Sequence, residues 1–172
     1  KPNIYVIEAS SFQLDSAKKI KPNISVLTNI SPDHIDWHGN YKNYIKAKEN
    51  LFLNQDESDL AIINIDSEEC FKLYKRINKR RIKPKIIKIS LNKKLRNTIY
   101  VDGEKVYDNI NNKNIFIGRI RDLSSLLGKH NIENIVIAIA AAIHEGVTHE
   151  QIKKFLPSFK GLSHRLELIY KD

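Results

Sequence analysis

Three apolar runs, at residues 4–7, 24–27 and 60–65, stand out from an otherwise mixed pattern and are rich in Ile and Val. Continuous rather than alternating apolar positions are what a strand buried on both faces needs. Between them the spacing lengthens. Over residues 41–53, Tyr44, Ile45, Leu51 and Phe52 fall on one face of an amphipathic helix. Asp66 and Ser67 offer a cap for a second helix reaching about Asn78, with Glu68 and Glu69 suited to its positive end. Strands separated by helices predict an α/β fold, a mainly parallel sheet flanked by helices.

From Lys85 to Ile120 the period shortens again. Residues 85–89, 98–101, 105–107 and 114–117 read as short strands, with Asp102-Gly103 as a tight hairpin turn. These predict a small antiparallel section attached to the main sheet. Residues 132–143 are then apolar nearly all round, as in a buried helix. Gly146 ends that helix, and Thr148 with Gln151 forms a capping box for the next. Pro157 and Gly161 mark a loop, and residues 166–170 read as a last strand. No internal repeat is visible.

Composition narrows the class. With 172 residues, 41% hydrophobic and 28% charged, the chain can bury one sizeable core or two small ones. No run approaches the roughly 20 apolar residues of a membrane span, and no signal peptide opens the sequence. The single Cys70 excludes an internal disulfide and fits a reducing compartment, so a cytoplasmic location is expected. The sequence has no methionine and opens with Lys1-Pro2-Asn3 before an apolar run, so it is expected to be a piece of a longer protein. The net charge of +9 has two readings, a polyanion partner or a composition biased throughout. Lysine, asparagine and isoleucine abound everywhere, and the densest basic run, residues 72–94, holds few aromatics for stacking on bases. Nucleic acid is therefore not expected as a partner, and a basic nucleic-acid-binding module is the competing reading.

Candidate chemistry gathers where strands end. Glu8 follows the apolar run 4–7, at the carboxyl end of a predicted buried strand, where open α/β sheets place ligands. It serves either a ligand or the cap of the next helix; Ser10, Ser11 and Gln13 follow in a polar turn. After the second run, residues 28–36 collect Asp33, His34 and Asp36, all able to bind Mg²⁺ directly or through water, although histidine is an uncommon magnesium ligand. Lys48 lies three and four residues from Ile45, Tyr44, Leu51 and Phe52, on the apolar face of its helix. There it either snorkels to water or loses its proton through burial. A neutral amine can take up CO₂ as a carbamate, an anionic oxygen ligand. Asn131 and Asn134 share a helix face and can bond a base or ribose, while Asn131 also reads as an N-cap. Arg165, in a loop after Pro157, can meet a phosphate with its planar donor fork. No phosphate-cradling G-x-x-x-x-G-K-[ST] is present, and one cysteine excludes a Cys-based zinc cluster.

Taken in order, these segments resemble the Mur ligase family over essentially the whole chain. The motifs are Glu8-Ala9-Ser10-Ser11-Phe12-Gln13-Leu14-Asp15, Asn29-Ile30-Ser31-Pro32-Asp33-His34-Ile35-Asp36, Tyr44-Ile45-Lys46-Ala47-Lys48, Gly128-Lys129-His130-Asn131 with Asn134, and Gly161-Leu162-Ser163-His164-Arg165. Within the family, Ser10-Ser11-Phe12-Gln13-Leu14 is most similar to the branch that adds D-glutamate. The related folylpolyglutamate synthases differ at this strand end.

The resemblance implies the central, ATP-binding domain of an amide ligase that joins D-glutamate to UDP-N-acetylmuramoyl-L-alanine through an acyl phosphate. It implies two Mg²⁺ ions, with Glu8 on one and His34 on the other, and Lys48 carbamylated beside the second. Ser10, Gln13 and His34 would meet the muramoyl substrate. Asn131 and Asn134, with His130 beside them, would meet the adenosine of ATP, and Arg165 with His164 its terminal phosphates. Residues 1–172 would be a partial domain, expected to be a monomer and inactive by itself. The phosphate loop and the flanking uridine-nucleotide and amino-acid domains would lie outside the chain. Residues 72–120 carry no family motif.

Overall fold

Strand β2 (Leu60–Asn64) is buried at all five positions and sits at the centre of the packing. Leu60 and Ile62 enter one apolar cluster, Ala61 and Ile63 another, the alternation that a pleated strand imposes. β1 (Ile24–Leu27) and β3 (Lys85–Ser90) pair with it in parallel on either side. β4 (Thr98–Asp102) adds in parallel to β3, and β5 (Lys105–Asp108) and β6 (Ile115–Arg119) follow antiparallel. The six strands stand side by side in chain order. This computed structural model describes residues 3–123, 126 and 128–161.

Helices cover both faces, as a parallel sheet requires. On one face α3 (Tyr41–Glu49), running into a 3₁₀ turn at Asn50–Phe52, and α4 (Glu68–Asn78) bury Tyr44, Phe52, Cys70, Leu73 and Ile77 against β1 and β2. α1 (Ser11–Ser16) packs on α3. On the opposite face α6 (Lys129–His144) lies across β2, β3 and β4 through Ile135, Val136, Ile139 and Ala140. Beside it stand the short α5 (Ile120–Leu123) and α7 (His149–Phe155).

The predicted α/β architecture holds, with differences that have physical causes. Residues 4–7 are not a strand: Ile4, Tyr5, Val6 and Ile7 are 73, 81, 95 and 75% exposed. A strand exists only within a ladder, and among the described residues nothing pairs with this segment, so apolar composition alone does not make one. Residues 85–89 belong to the parallel part of the sheet, which runs through β4; only β5 and β6 are antiparallel. The short link between β3 and β4 suffices because β4 starts level with Lys88, so the chain steps back only two residues before running on. The hairpin turn is Gly103-Glu104, one residue later than predicted, since Asp102 still pairs with Lys105. Gly103 takes φ +59°, placing the glycine first in the turn.

Caps differ in the same way. Ser67 occupies the N-cap of α4 without a side-chain cap bond. Asp66 turns instead to the end of β3, accepting from Ser90 Oγ at 2.6 Å, Leu91 N at 2.6 Å and Asn92 Nδ2 at 3.1 Å. α6 begins at Gly128, φ +93°, not at Asn131, which lies within its first turn. The Thr148–Gln151 capping box is formed, with both of its bonds present. The predicted strand at 166–170 lies outside the described residues.

Candidate active site

The carboxyl end of β1 leads into the loop that carries Asp33 and His34. Ile30, 5% exposed, pins that loop to the core. His34 adopts φ +51°, the left-handed region that crowds a β-carbon and persists only where surroundings impose it. Its carbonyl accepts from Trp37 and His38 at 3.2 and 3.4 Å, starting the single turn α2 (Ile35–His38). The side chain is half-exposed, with Nε2 3.3 Å from Asp33 Oδ2 and the Phe12 ring 4.8 Å away. Asp36 is exposed in the first turn of α2.

Gly39, φ +74°, ends α2, and Asn40 caps α3 by accepting from Asn43 N at 2.9 Å. α3 then presents Lys48 as its spacing predicts. The lysine is half-buried, its ammonium 5.1 Å from the centre of the Tyr44 ring. Burial pulls its pKa below the ordinary lysine value, with Cys70 and Asp33 acting in the opposite sense. Burial also pushes the Cys70 thiol up to about 11, so Cys70 is uncharged near neutrality and offers Lys48 little counter-charge. The next residue, Glu49, receives Arg76 Nη2 at 3.2 Å and Arg80 Nη2 at 3.1 Å, clamping α3 to α4. Arg80 Nη1 adds a bond to Phe52 O at 2.9 Å.

Across from this loop, α1 opens with a second capping box. Gln13 Oε1 accepts from Ser10 N at 2.8 Å, and Ser10 Oγ accepts from Gln13 N at 3.3 Å. Ser-x-x-Gln is the same signal as Thr148–Gln151, and the residues expected to form a polar turn open a helix instead. Ser10 Oγ also donates to Gln13 Oε1 at 3.0 Å, so these oxygens are engaged within the box, and Gln13 is exposed.

The structure therefore brings together Asp33, His34, Phe12, Tyr44 and Lys48, with α1 against them. It does not gather the whole predicted set. Glu8 is exposed and precedes α1 outside any strand, because residues 4–7 form none. Asn131 is half-buried, Asn134 exposed, and His130 lies 3.4 Å from the buried Glu133. These stand on α6, on the face of the sheet opposite α3. Asn134 and Lys48 therefore stand on helices separated by the sheet. His164 and Arg165 lie outside the described residues.

Among the described residues no group of three or more His, Cys, Asp or Glu could hold a metal ion. That sparse donor set still suits Mg²⁺, which keeps several waters and takes one or two carboxylates plus substrate phosphates. Sequence reasoning missed His38, buried in this same cluster with its Nε2 3.0 Å from Ser11 Oγ. Its partner Ser11 lies 27 residues upstream, so no local spacing marks it. A cleft of about 370 Å³ lined by Tyr74, Arg81, Lys83 and Lys88 holds none of these residues.

Residues 1–142 match the Mur ligase middle domain. The UDP-N-acetylmuramoylalanine–D-glutamate ligase of Koribacter versatilis is 36% identical over 162 residues, 94% of this chain and 34% of that protein. The ligase of the same name from Caulobacter vibrioides is 39% identical over 171 residues, 98% of this chain and 36% of that protein. The chain thus spans about a third of the length of the curated relatives it matches. A solved UDP-N-acetylmuramoyl-L-alanyl-D-glutamate–2,6-diaminopimelate ligase superposes with a TM-score of 0.75 at 27% identity, over 95% of this chain and 34% of that one. A UDP-N-acetylmuramoylalanyl-D-glutamyl-2,6-diaminopimelate–D-alanyl-D-alanyl ligase from Acinetobacter baumannii shares the fold, with a TM-score of 0.67 at 19% identity over 92% of this chain and 34% of that one.

Proposed function

The chain belongs to the Mur ligase family as its middle domain, and on that premise we propose that the protein carrying it adds D-glutamate to UDP-N-acetylmuramoyl-L-alanine with ATP. The names of the relatives at 36 and 39% identity support the choice of reaction. The observation that carries the reading is the meeting of the His34 loop with a half-buried lysine of lowered pKa, in the order of motifs this family uses.

The chemistry gives these residues a purpose. The substrate carboxylate attacks the γ-phosphate of ATP, forming an acyl phosphate and ADP. The amine of D-glutamate then attacks that acyl carbon, and phosphate leaves from the tetrahedral intermediate to give the amide. Two anions must approach in the first step, so positioning and positive charge lower the barrier. Magnesium, when bound, would supply the charge that neutralises phosphate and carboxylate together. Glu8 and His34 would hold the two ions, and Lys48 as a carbamate would add an anionic oxygen beside His34. The Gln13 amide and Ser10 would orient the muramoyl substrate. Asn131, Asn134 and His130 would bind adenosine, with Arg165 and His164 at the terminal phosphates.

No described helix is long and apolar enough to cross a membrane. Together with the single buried Cys70, this supports a reaction in the reducing cytoplasm. We read the enzyme as a monomer that needs no nucleic acid, and residues 1–172 as part of its central domain.

The test is ATP-dependent phosphate release by the full-length protein, with UDP-N-acetylmuramoyl-L-alanine and a panel of amino acids. Turnover with D-glutamate alone is expected, lost in Lys48→Ala with the fold retained. Turnover only with another amino acid or nucleotide substrate would move the protein elsewhere in the family. No turnover from folded, Mg²⁺-supplied protein would overturn the enzyme reading.

A further inference from the structure

We infer that His38 is a positioning residue that sets His34 and Lys48 relative to each other, an inference that rests on the ligase reading above. His38 ends α2 and is only 7% exposed. Its Nε2 lies 3.0 Å from the Oγ of Ser11, itself buried. Its ring stacks on Phe12 at 5.7 Å and 13° and meets Tyr44 edge-on at 5.5 Å. Its carbonyl accepts from Asn43 Nδ2, in the first turn of α3, at 2.8 Å.

Three segments of the candidate site converge on this one ring. Ser11 and Phe12 lie between Ser10 and Gln13 on α1. Phe12 in turn touches His34 at 4.8 Å and Trp37 at 5.3 Å. Tyr44 carries the Lys48 ammonium at 5.1 Å. His34 and Lys48 are therefore each one side chain removed from His38. A buried imidazole costs stability unless its polar atoms are bonded, and an apolar residue would pack the same space without that demand. What the imidazole adds is direction: the bond to Ser11 fixes its plane, and the plane fixes Phe12 and Tyr44. The left-handed backbone of His34 needs such outside support to persist.

The experiment uses the full-length protein with His38→Ala, His38→Gln and Ser11→Ala. Glutamine sets an amide nitrogen near the position of Nε2. Ser11→Ala removes a single oxygen and keeps the question open to measurement if His38→Ala does not fold. Both alanine variants are expected to lower kcat by about tenfold to a hundredfold and to raise the Mg²⁺ concentration for half activity. KM for ATP stays within about twofold, and His38→Gln recovers most of the loss. With ¹³C-labelled histidine, the His34 resonance moves in the alanine variants while that of His149, on the opposite face of the sheet, does not. Folded variants with a lower Tm but unchanged kcat, Mg²⁺ requirement and His34 resonance would overturn the inference. If the unsubstituted protein turns over no muramoyl substrate, the ligase reading fails separately, and the His34 resonance decides whether His38 positions the loop.

Discussion

At residue scale, Lys48 shows what a sequence can disclose and what it cannot. Helical spacing placed it on an apolar face, and the structure has it there, half-buried over Tyr44 with its pKa lowered. The sign of the resulting pH dependence follows. Below the lowered pKa, Lys48 is charged in folded and unfolded chains alike and opposes folding in full. As pH rises through the lowered pKa toward the ordinary lysine value, the unfolded chain holds the extra proton and stability recovers. The neutral amine is the species that takes up CO₂, so a Lys48 carbamate signal in ¹³C-bicarbonate spectra should grow with pH and reach half its maximum at lower pH than that of a lysine in an unstructured peptide. Equal midpoints would mean that burial does not activate this amine. His38 was illegible for the opposite reason. Its role depends on Ser11 and Phe12, distant in sequence, and on Tyr44 from the next helix, and no local spacing encodes that meeting.

At element scale, periodicity located most helices and strands, but it offered a strand at residues 4–7 that does not form, and residues read as a turn form α1. For the strands, pairing supplies the explanation. Whether residues 85–89 run parallel or antiparallel to their neighbours is set by β2 and β4, not by their own alternation. Caps were legible where both halves of the signal sit together, as at Thr148 and Gln151. They were misread at Asn131, because Gly128 turns the chain into α6 three residues earlier. The caps make a quantitative comparison possible. Thr148→Ala removes an acceptor that satisfies Gln151 N and should destabilise the protein by about 1 kcal/mol. Ser67→Ala, at an N-cap whose side chain makes no cap bond, should change stability by less than about half that. Denaturant unfolding of the two variants distinguishes them, and equal losses would refute the assignment.

At the scale of the whole molecule, the two-faced core follows from the apolar runs, but the fate of residues 4–7 does not. Four apolar residues at 73 to 95% exposure form the kind of surface that attracts hydrophobic probes. Replacing Ile4 and Val6 by serine should reduce the fluorescence of a bound hydrophobic dye while leaving the Tm within about 1 °C, since neither side chain is buried. A large fall in Tm would show that the segment packs in solution. Glu8 depends on the same segment, so its predicted place at a strand end was lost with the strand.

The order of the strands has a consequence in time. Each strand from β2 to β6 pairs with the one made just before it, and among the described residues no strand waits for a later one to be inserted between earlier neighbours. Pairings of short sequence separation close small loops and form quickly. During synthesis the sheet can therefore widen at one edge as the chain emerges, each finished strand templating the next. The helix that covers β2, β3 and β4 on the second face comes only after β6. A nascent chain that has emerged from the ribosome only as far as about residue 120 would hold the ladder from β1 to β6 with one side still bare, and that side is where a chaperone would bind.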